Sequence, residues 1–149
     1  MMHHQMYISL TRAREFMRQA YNTSVSLPDV AAQANLSPYH FLRVYKRAYG
    51  ETPHESLTRL RIERAKTLLA KGGHNVTEAC FEVGFSSLGS FSSLFAGRAG
   101  LSPSEYRRHA RSGTSVPSSL RPLFVPSCFL TMLYGSPENL MNGVQTRAE

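Results

Sequence analysis

The side chains best placed to do chemistry lie between Ser37 and Gly50: Tyr39, His40, Arg43, Lys46 and Arg47. A helix capped by Ser37, with Pro38 at its first position, carries Phe41, Val44, Tyr45 and Ala48 along one stripe and leaves these five residues off it. Such a helix is apolar toward its own core and cationic toward a partner, which suits recognition of a polyanion. Catalytic constellations are not evident. His3, His4, His40, His54, His74 and His109 are scattered without zinc-site spacing, and there is no Gly-rich phosphate loop, paired-acid arrangement or nucleophile elbow. No metal and no cofactor are expected. Cys80 and Cys128 lack metal-ligand spacing and read as reduced, small buried hydrophobes.

The elements that must position the basic helix occur twice. The stretch LSPYHFLRVYKRAYGETPHESLTRLR, from Leu36, is echoed about fifty residues on by FSSLGSFSSLFAGRAGLSPSEYRRHAR, from Phe85. Gly50 answers Gly100, Pro53 answers Pro103, Phe41 answers Phe91, and Tyr45 answers Phe95. Apolar, glycine and proline positions rarely coincide by chance, so the chain reads as two copies of one unit.

Taken in order, an amphipathic helix is predicted over Tyr7 to Tyr21. A short one follows from Leu27 to Ala34, capped by Ser26 and faced with Ala31, Ala32 and Ala34. Asn35 and Leu36 turn the chain into the basic helix, which is the helix-turn-helix layout. A long helix from Pro53 to about Ala70 comes next, roughly 27 Å at about 1.5 Å per residue. That length suits a rod spacing two groove-reading helices about 34 Å apart. Val76 to Val83 repeats the short helix, with Gly84 in the place of Asn35. The second unit shows one extra residue, four separating Ser86 from Phe91 where three separate Ser37 from Phe41. Helix Ser87 to Ala99 keeps Phe91, Leu94 and Phe95 as core, and Ser102 with Pro103 opens a last helix ending in Arg107, Arg108 and Arg111. Phe16, Phe41, Tyr45, Phe91 and Phe95 are predicted core aromatics. Arg61 is expected either to face a partner or to pair with a carboxylate such as Glu55 or Glu105.

Of the net charge of +7, all falls on residues 1–111, which hold 15 Lys and Arg against 8 Asp and Glu. Positive charge confined to the repeated part makes binding to a polyanion salt-dependent. No apolar run approaches the eighteen or more residues of a membrane span, and the N-terminal segment lacks a signal-peptide pattern. A cytoplasmic location with no membrane partner is expected. Beyond Arg111 a Ser- and Pro-rich linker leads to an apolar, strand-like segment containing Cys128, which motifs do not assign.

From about Tyr7 to Arg111 the chain resembles the DNA-binding domain of AraC/XylS-type bacterial transcription regulators. The likeness is carried in the second unit by Ala79, Val83, Gly84, Phe85, Ser86, Phe91, Phe95, Gly100, Ser102, Pro103, Tyr106 and Arg107. In the first unit it is carried by Ser37, Phe41, Arg43, Tyr45, Lys46, Gly50, Pro53, Leu57, Arg61, Ala65 and Leu69. The resemblance implies an all-α, homeodomain-like fold of seven helices: a first helix-turn-helix subdomain over 7–52, a linker helix over 53–71, a second subdomain over 72–111 and an apolar tail over 112–149. It implies a bacterial regulator, not an enzyme, that reads successive major-groove segments of double-stranded DNA as a monomer or homodimer, with RNA polymerase as a further possible partner.

By that likeness Tyr39, Leu42 and Arg43 face base edges, and His40, Lys46 and Arg47 lie nearer the backbone. The second recognition helix starts at Ser87 and presents Leu88, Gly89, Ser90, Ser92 and Ser93. None of these is cationic, so serine hydroxyls and helix N–H groups would grip phosphates there. Relatives commonly add a ligand-sensing or dimerisation domain, while only six residues precede the first predicted helix here. The sequence is therefore either a stand-alone regulator or a piece of something longer. The alternatives to a regulator are a DNA-alkylation repair fragment, which would need a reactive thiolate at Cys128, and a protein-interaction module that has lost DNA binding.

Overall fold

The computed structural model describes residues 2–113, and the tail, with Cys128, lies outside them. Seven helices follow one another: α1 Met2–Gln19, α2 Leu27–Gln33, α3 Pro38–Tyr49, α4 Pro53–Lys71, α5 Val76–Glu82, α6 Leu88–Ala99 and α7 Pro103–Arg111. No strand occurs among the described residues. The first helix begins earlier than its periodicity predicts, at Met2 and not Tyr7, and Met6 packs at the edge of the core.

Local chemistry sets the helix boundaries. Reciprocal capping boxes start four helices, pairing Ser26 with Asp29, Thr52 with Glu55, Asn75 with Glu78 and Ser102 with Glu105. Ser37 and Ser87 cap the two recognition helices by accepting from the backbone N–H groups of His40 and Ser90. The cap on α6 is thus Ser87, four positions before Phe91 as Ser37 is before Phe41. The extra residue of the second unit is Ser86, lodged in the turn, and the two recognition helices match residue for residue. Gly50, Gly72 and Gly100 stop α3, α4 and α6 in the left-handed conformation.

Two cores form, and α4 runs through both. The first gathers Leu10, Ala13 and Met17 of α1, Val30 and Ala31 of α2, Phe41, Tyr45 and Tyr49 of α3, and Leu57 of α4. The second gathers Ile62, Ala65 and Leu69 of α4 with Ala79, Cys80, Val83, Phe91, Phe95 and Ala99. Tilted and edge-on ring contacts form the spine of each: Phe41, Tyr45 and Tyr49 at centroid spacings of 5.3 and 4.7 Å, and Phe85, Phe91, Phe95 and Tyr106 at 5.3, 5.6 and 5.4 Å. Burying one such aromatic contributes about 1.5–3 kcal/mol.

Several predicted core positions shift. Tyr49 is buried and Ala48 exposed, because the α3 stripe drifts along the 3.6-residue period so that its last member falls one position later. Leu94 is exposed, since α4 and α7 cover the Phe91–Phe95 side of α6. Ala32 faces outward while Ala31 and Ala34 make the close approach. Phe16 sits half-buried at the margin of the first core. Arg61 pairs with neither Glu55 nor Glu105: both carboxylates are engaged at the caps, and Arg61 reaches backbone carbonyls of the α1–α2 turn.

Candidate nucleic-acid interface

On α3 the structure brings together most of the residues singled out by sequence. Tyr39, His40, Arg43, Lys46 and Arg47 are all exposed, Tyr39 to 71%. The Arg43 guanidinium carbon lies 5.7 Å from the centroid of the Tyr39 ring, one turn away, within cation–π range. Among the described residues Arg43 forms no ion pair, so its donors point outward uncommitted. Leu42 differs. It is half-buried and borders an apolar cleft of about 240 Å³ with Met17, Val30, His54 and Leu57.

On α6 the surface is smaller and uncharged. Leu88 is 40% exposed, and Gly89, Ser90 and Ser93 are exposed, whereas Ser92 is half-buried. A side chain added at Gly89 would meet only the Ser87 hydroxyl, at 3.8 Å, so the start of α6 can lie close against a large surface. The only basic residue on α6 is Arg98, in its last turn.

Support for these helices is polar as well as apolar. The Arg61 Nε donates to the Tyr21 carbonyl at 2.6 Å and its terminal nitrogen to the Thr23 carbonyl at 2.9 Å. Burial alone lowers the Arg61 pKa, yet a guanidinium remains charged. Behind α3, the Tyr45 hydroxyl donates to Ser56, Ser56 to Glu51, and Arg59 pairs with Glu51 at 2.9 Å. Sequence reasoning missed this chain of contacts, and it also missed the convergence of Arg107, Arg108 and Arg111 on one cleft, for which the i, i+4 spacing of Arg107 and Arg111 was the available signal.

Catalytic features are weak in the same region. The Cys80 thiol is buried and its pKa is pushed up by that burial, the reverse of an activated thiolate. Among the described residues no group of three His, Cys, Asp or Glu could hold a metal, and no helix is long and apolar enough to cross a membrane.

Two linked helix-turn-helix units, each with an exposed second helix and no strands among the described residues, have the architecture of the AraC-type DNA-binding domain. Residues 30–109 match the family model described as a helix-turn-helix domain, and the chain belongs to that family. The MmsAB operon regulatory protein of Pseudomonas aeruginosa is 36% identical over 106 residues, covering 71% of this chain and 34% of that protein. A transcriptional regulator with an AraC-type DNA-binding domain from Chromobacterium violaceum superposes with a TM-score of 0.66 at 26% identity, covering 75% of this chain and 96% of that one. The DNA-binding domain of AdpA, solved in complex with a target DNA, gives a TM-score of 0.66 at 25% identity over 70% of this chain and 94% of that one. The chain spans about a third of the length of the curated relatives it matches. Family and fold together support DNA binding as the role of this helix-turn-helix domain.

Proposed function

We propose that this chain supplies the DNA-binding part of a sequence-specific transcription regulator, with α3 as the main base reader and α6 as a second, weaker reader in the next major-groove segment. The observation that carries the reading is the outward, unpaired Arg43 set over the Tyr39 ring on a helix whose other face is core. Two parallel N–H donors on a guanidinium match guanine O6 and N7, and such a pair discriminates by about 1–3 kcal/mol. Lys46 and Arg47, a turn further along, suit phosphate contacts that fix register without reading sequence. Leu88 at the start of α6 offers an apolar contact of the kind a thymine methyl accepts. The α4 rod, 19 residues and so about 28 Å long, supports placing the two helices on one face of the duplex. The assembly that binds is a monomer or a homodimer, and the length of the selected site distinguishes them.

Binding-site selection on random duplexes followed by gel-shift titration tests this. Arg43→Ala is expected to weaken specific binding by about 1–3 kcal/mol and relax preference at one base pair, while Arg47→Ala lowers the salt slope by about one without changing preference. Unchanged affinity and unchanged preference in Arg43→Ala would remove α3 from the role given to it.

A further inference from the structure

The two units distribute their positive charge in opposite ways. In the first, Arg43, Lys46 and Arg47 stand on the recognition helix, and the neighbouring cleft is apolar, floored by Met17, Val30 and Leu57. In the second, α6 is almost uncharged, and a cleft of about 360 Å³ is lined by Arg107, Arg108 and Arg111 with Ser104, Ser112 and Val76. The clefts occupy matching places in the repeat: Val76 answers Leu27, Ser104 answers His54, and Arg107 answers Leu57. The apolar cleft reaches its recognition helix through Leu42, whereas the arginine cleft is bounded by the start of α5 and by α7, so the positive charge of the second unit is gathered off α6.

Three guanidiniums in one cleft repel one another, and among the described residues none of them forms an ion pair. The nearest acid on their own helix, Glu105, is held at the Ser102 cap, and Glu78 of α5 is likewise held at Asn75. The Arg107 Nε is buried with no hydrogen-bond partner among the described residues, which is costly for a charged donor. Arg111 repeats Arg61 in the pattern, but where Arg61 spends its donors on two carbonyls, Arg111 rests against the Gly72 turn with no such bond. Planar guanidinium forks, the flanking Ser104 hydroxyl and a lining without carboxylate fit a tetrahedral oxyanion carrying two charges, while the Ser112 hydroxyl is spent on the Arg108 carbonyl.

We propose that the Arg107–Arg108–Arg111 cleft binds a phosphate group, so that the second unit holds DNA through this cleft more than through α6. The inference rests on the DNA-binding reading above. The shared chemistry is that of a phosphate, either in the DNA backbone or free in solution.

The test uses the full chain. The Arg107 Nε–Hε resonance is followed while adding a selected duplex, inorganic phosphate or, as control, chloride at equal ionic strength. Salt slopes of duplex binding are compared among the parent, Arg111→Gln, Arg108→Gln and Arg107→Gln. A shift with duplex, together with a slope lowered by about one in Arg111→Gln while base preference is kept, assigns a backbone phosphate. A saturable shift with inorganic phosphate alone assigns free phosphate to the same cleft. A resonance unmoved by both, or moved as much by chloride, overturns the proposal. Arg107→Gln bears on a structural role for that side chain, and because Arg108 and Arg111 lie at the open edge, their variants keep the test valid if Arg107→Gln fails to fold. Loss of the Arg43 effect with the cleft results intact would instead indict the base-reading role of α3, so the two failures are distinguishable.

Discussion

The Arg61 Nε donates to the backbone carbonyl of Tyr21 at 2.6 Å across a sequence separation of 40 residues. Its second bond, to Thr23, makes the side chain a fork that fastens the middle of α4 to the α1–α2 turn. Tyr21 packs against both cores, so this clamp sits where the two units meet. Charged hydrogen bonds of this kind contribute about 1.5–3 kcal/mol each when both ends are held. Arg61→Ala is therefore expected to lower unfolding free energy by roughly 2 kcal/mol or more in urea titration. Arg61→Lys should recover only part of it, because an ammonium lacks the fixed planar fork that directs separate Nε and terminal N–H donors at the two carbonyls. Full recovery by lysine would show that charge alone, not the fork, is what matters.

Gly84 makes a sharper prediction about the turn that aims α6. It takes φ +93°, and a side chain there would come within 3.0 Å of backbone atoms of Asn22 and Tyr21. Gly50 has φ +74° but nothing within 4 Å. Both lose about 1–2 kcal/mol from left-handed strain when changed to alanine, yet only Gly84→Ala adds a clash with main chain that cannot rotate away. Thermal melts should rank Gly84→Ala well below Gly50→Ala. Equal losses would mean that the α1–α2 turn yields freely.

Much of this architecture was legible because the repeat is written in residues with strict backbone meaning: Gly50 and Gly100 stop helices, Pro53 and Pro103 start them, and the paired aromatics recur at helical spacing. α6 starts one residue later than expected, at Leu88 and not Ser87, because Ser86 and Ser87 are chemically equal as caps and only three-dimensional geometry selects Ser87. Helical periodicity could not decide between Ala48 and Tyr49, since both lie within a residue of the stripe. The partners of Arg61 were invisible for a different reason. Backbone carbonyls exist at every position, so an arginine that binds them leaves no complementary residue to find. On α3 the exposed cations followed directly from their offset to Phe41 and Tyr45, whereas the arginine cleft needed α5 and α7 brought together.

Tyr45 and Phe95 hold equivalent places in the two aromatic spines, with different surroundings. The Tyr45 hydroxyl donates to Ser56 at 2.8 Å and is linked through it to Glu51 and Arg59, while Phe95 meets the edge of the Tyr106 ring. Burial drives the Tyr45 phenol pKa far upward, so it stays neutral and serves as a donor throughout the ordinary range. Tyr45→Phe should cost about 1 kcal/mol, the net value of one buried bond. The reciprocal Phe95→Tyr should cost more, about 1–3 kcal/mol, because it buries a hydroxyl with no partner prepared for it. Chemical denaturation of the two variants gives the comparison, and a cheaper Phe95→Tyr would contradict it.

The capping carboxylates make stability depend on acid in a defined direction. Glu55 accepts from the Thr52 N–H at 2.7 Å, and that backbone bond, then the Thr52 hydroxyl, lowers its pKa below the usual 4.5. Glu105 is lowered chiefly by the Ser102 hydroxyl and next by the Ser102 N–H, which it accepts at 3.0 Å. With the folded value below the unfolded one, the contribution of each cap is complete above the ordinary carboxylate range and drains away as pH falls through the folded value. Titration from neutral to about pH 3 should therefore loosen the first turns of α4 and α7, and the Thr52 and Ser102 amide resonances should move with midpoints under the free-carboxylate value. Glu55→Gln and Glu105→Gln keep an acceptor but cannot titrate, so each should abolish the transition at its own cap and leave the other intact. Midpoints at or above the free value would mean that the caps are not formed in solution, and with them would go the rigid start of α4 that sets the spacing between α3 and α6.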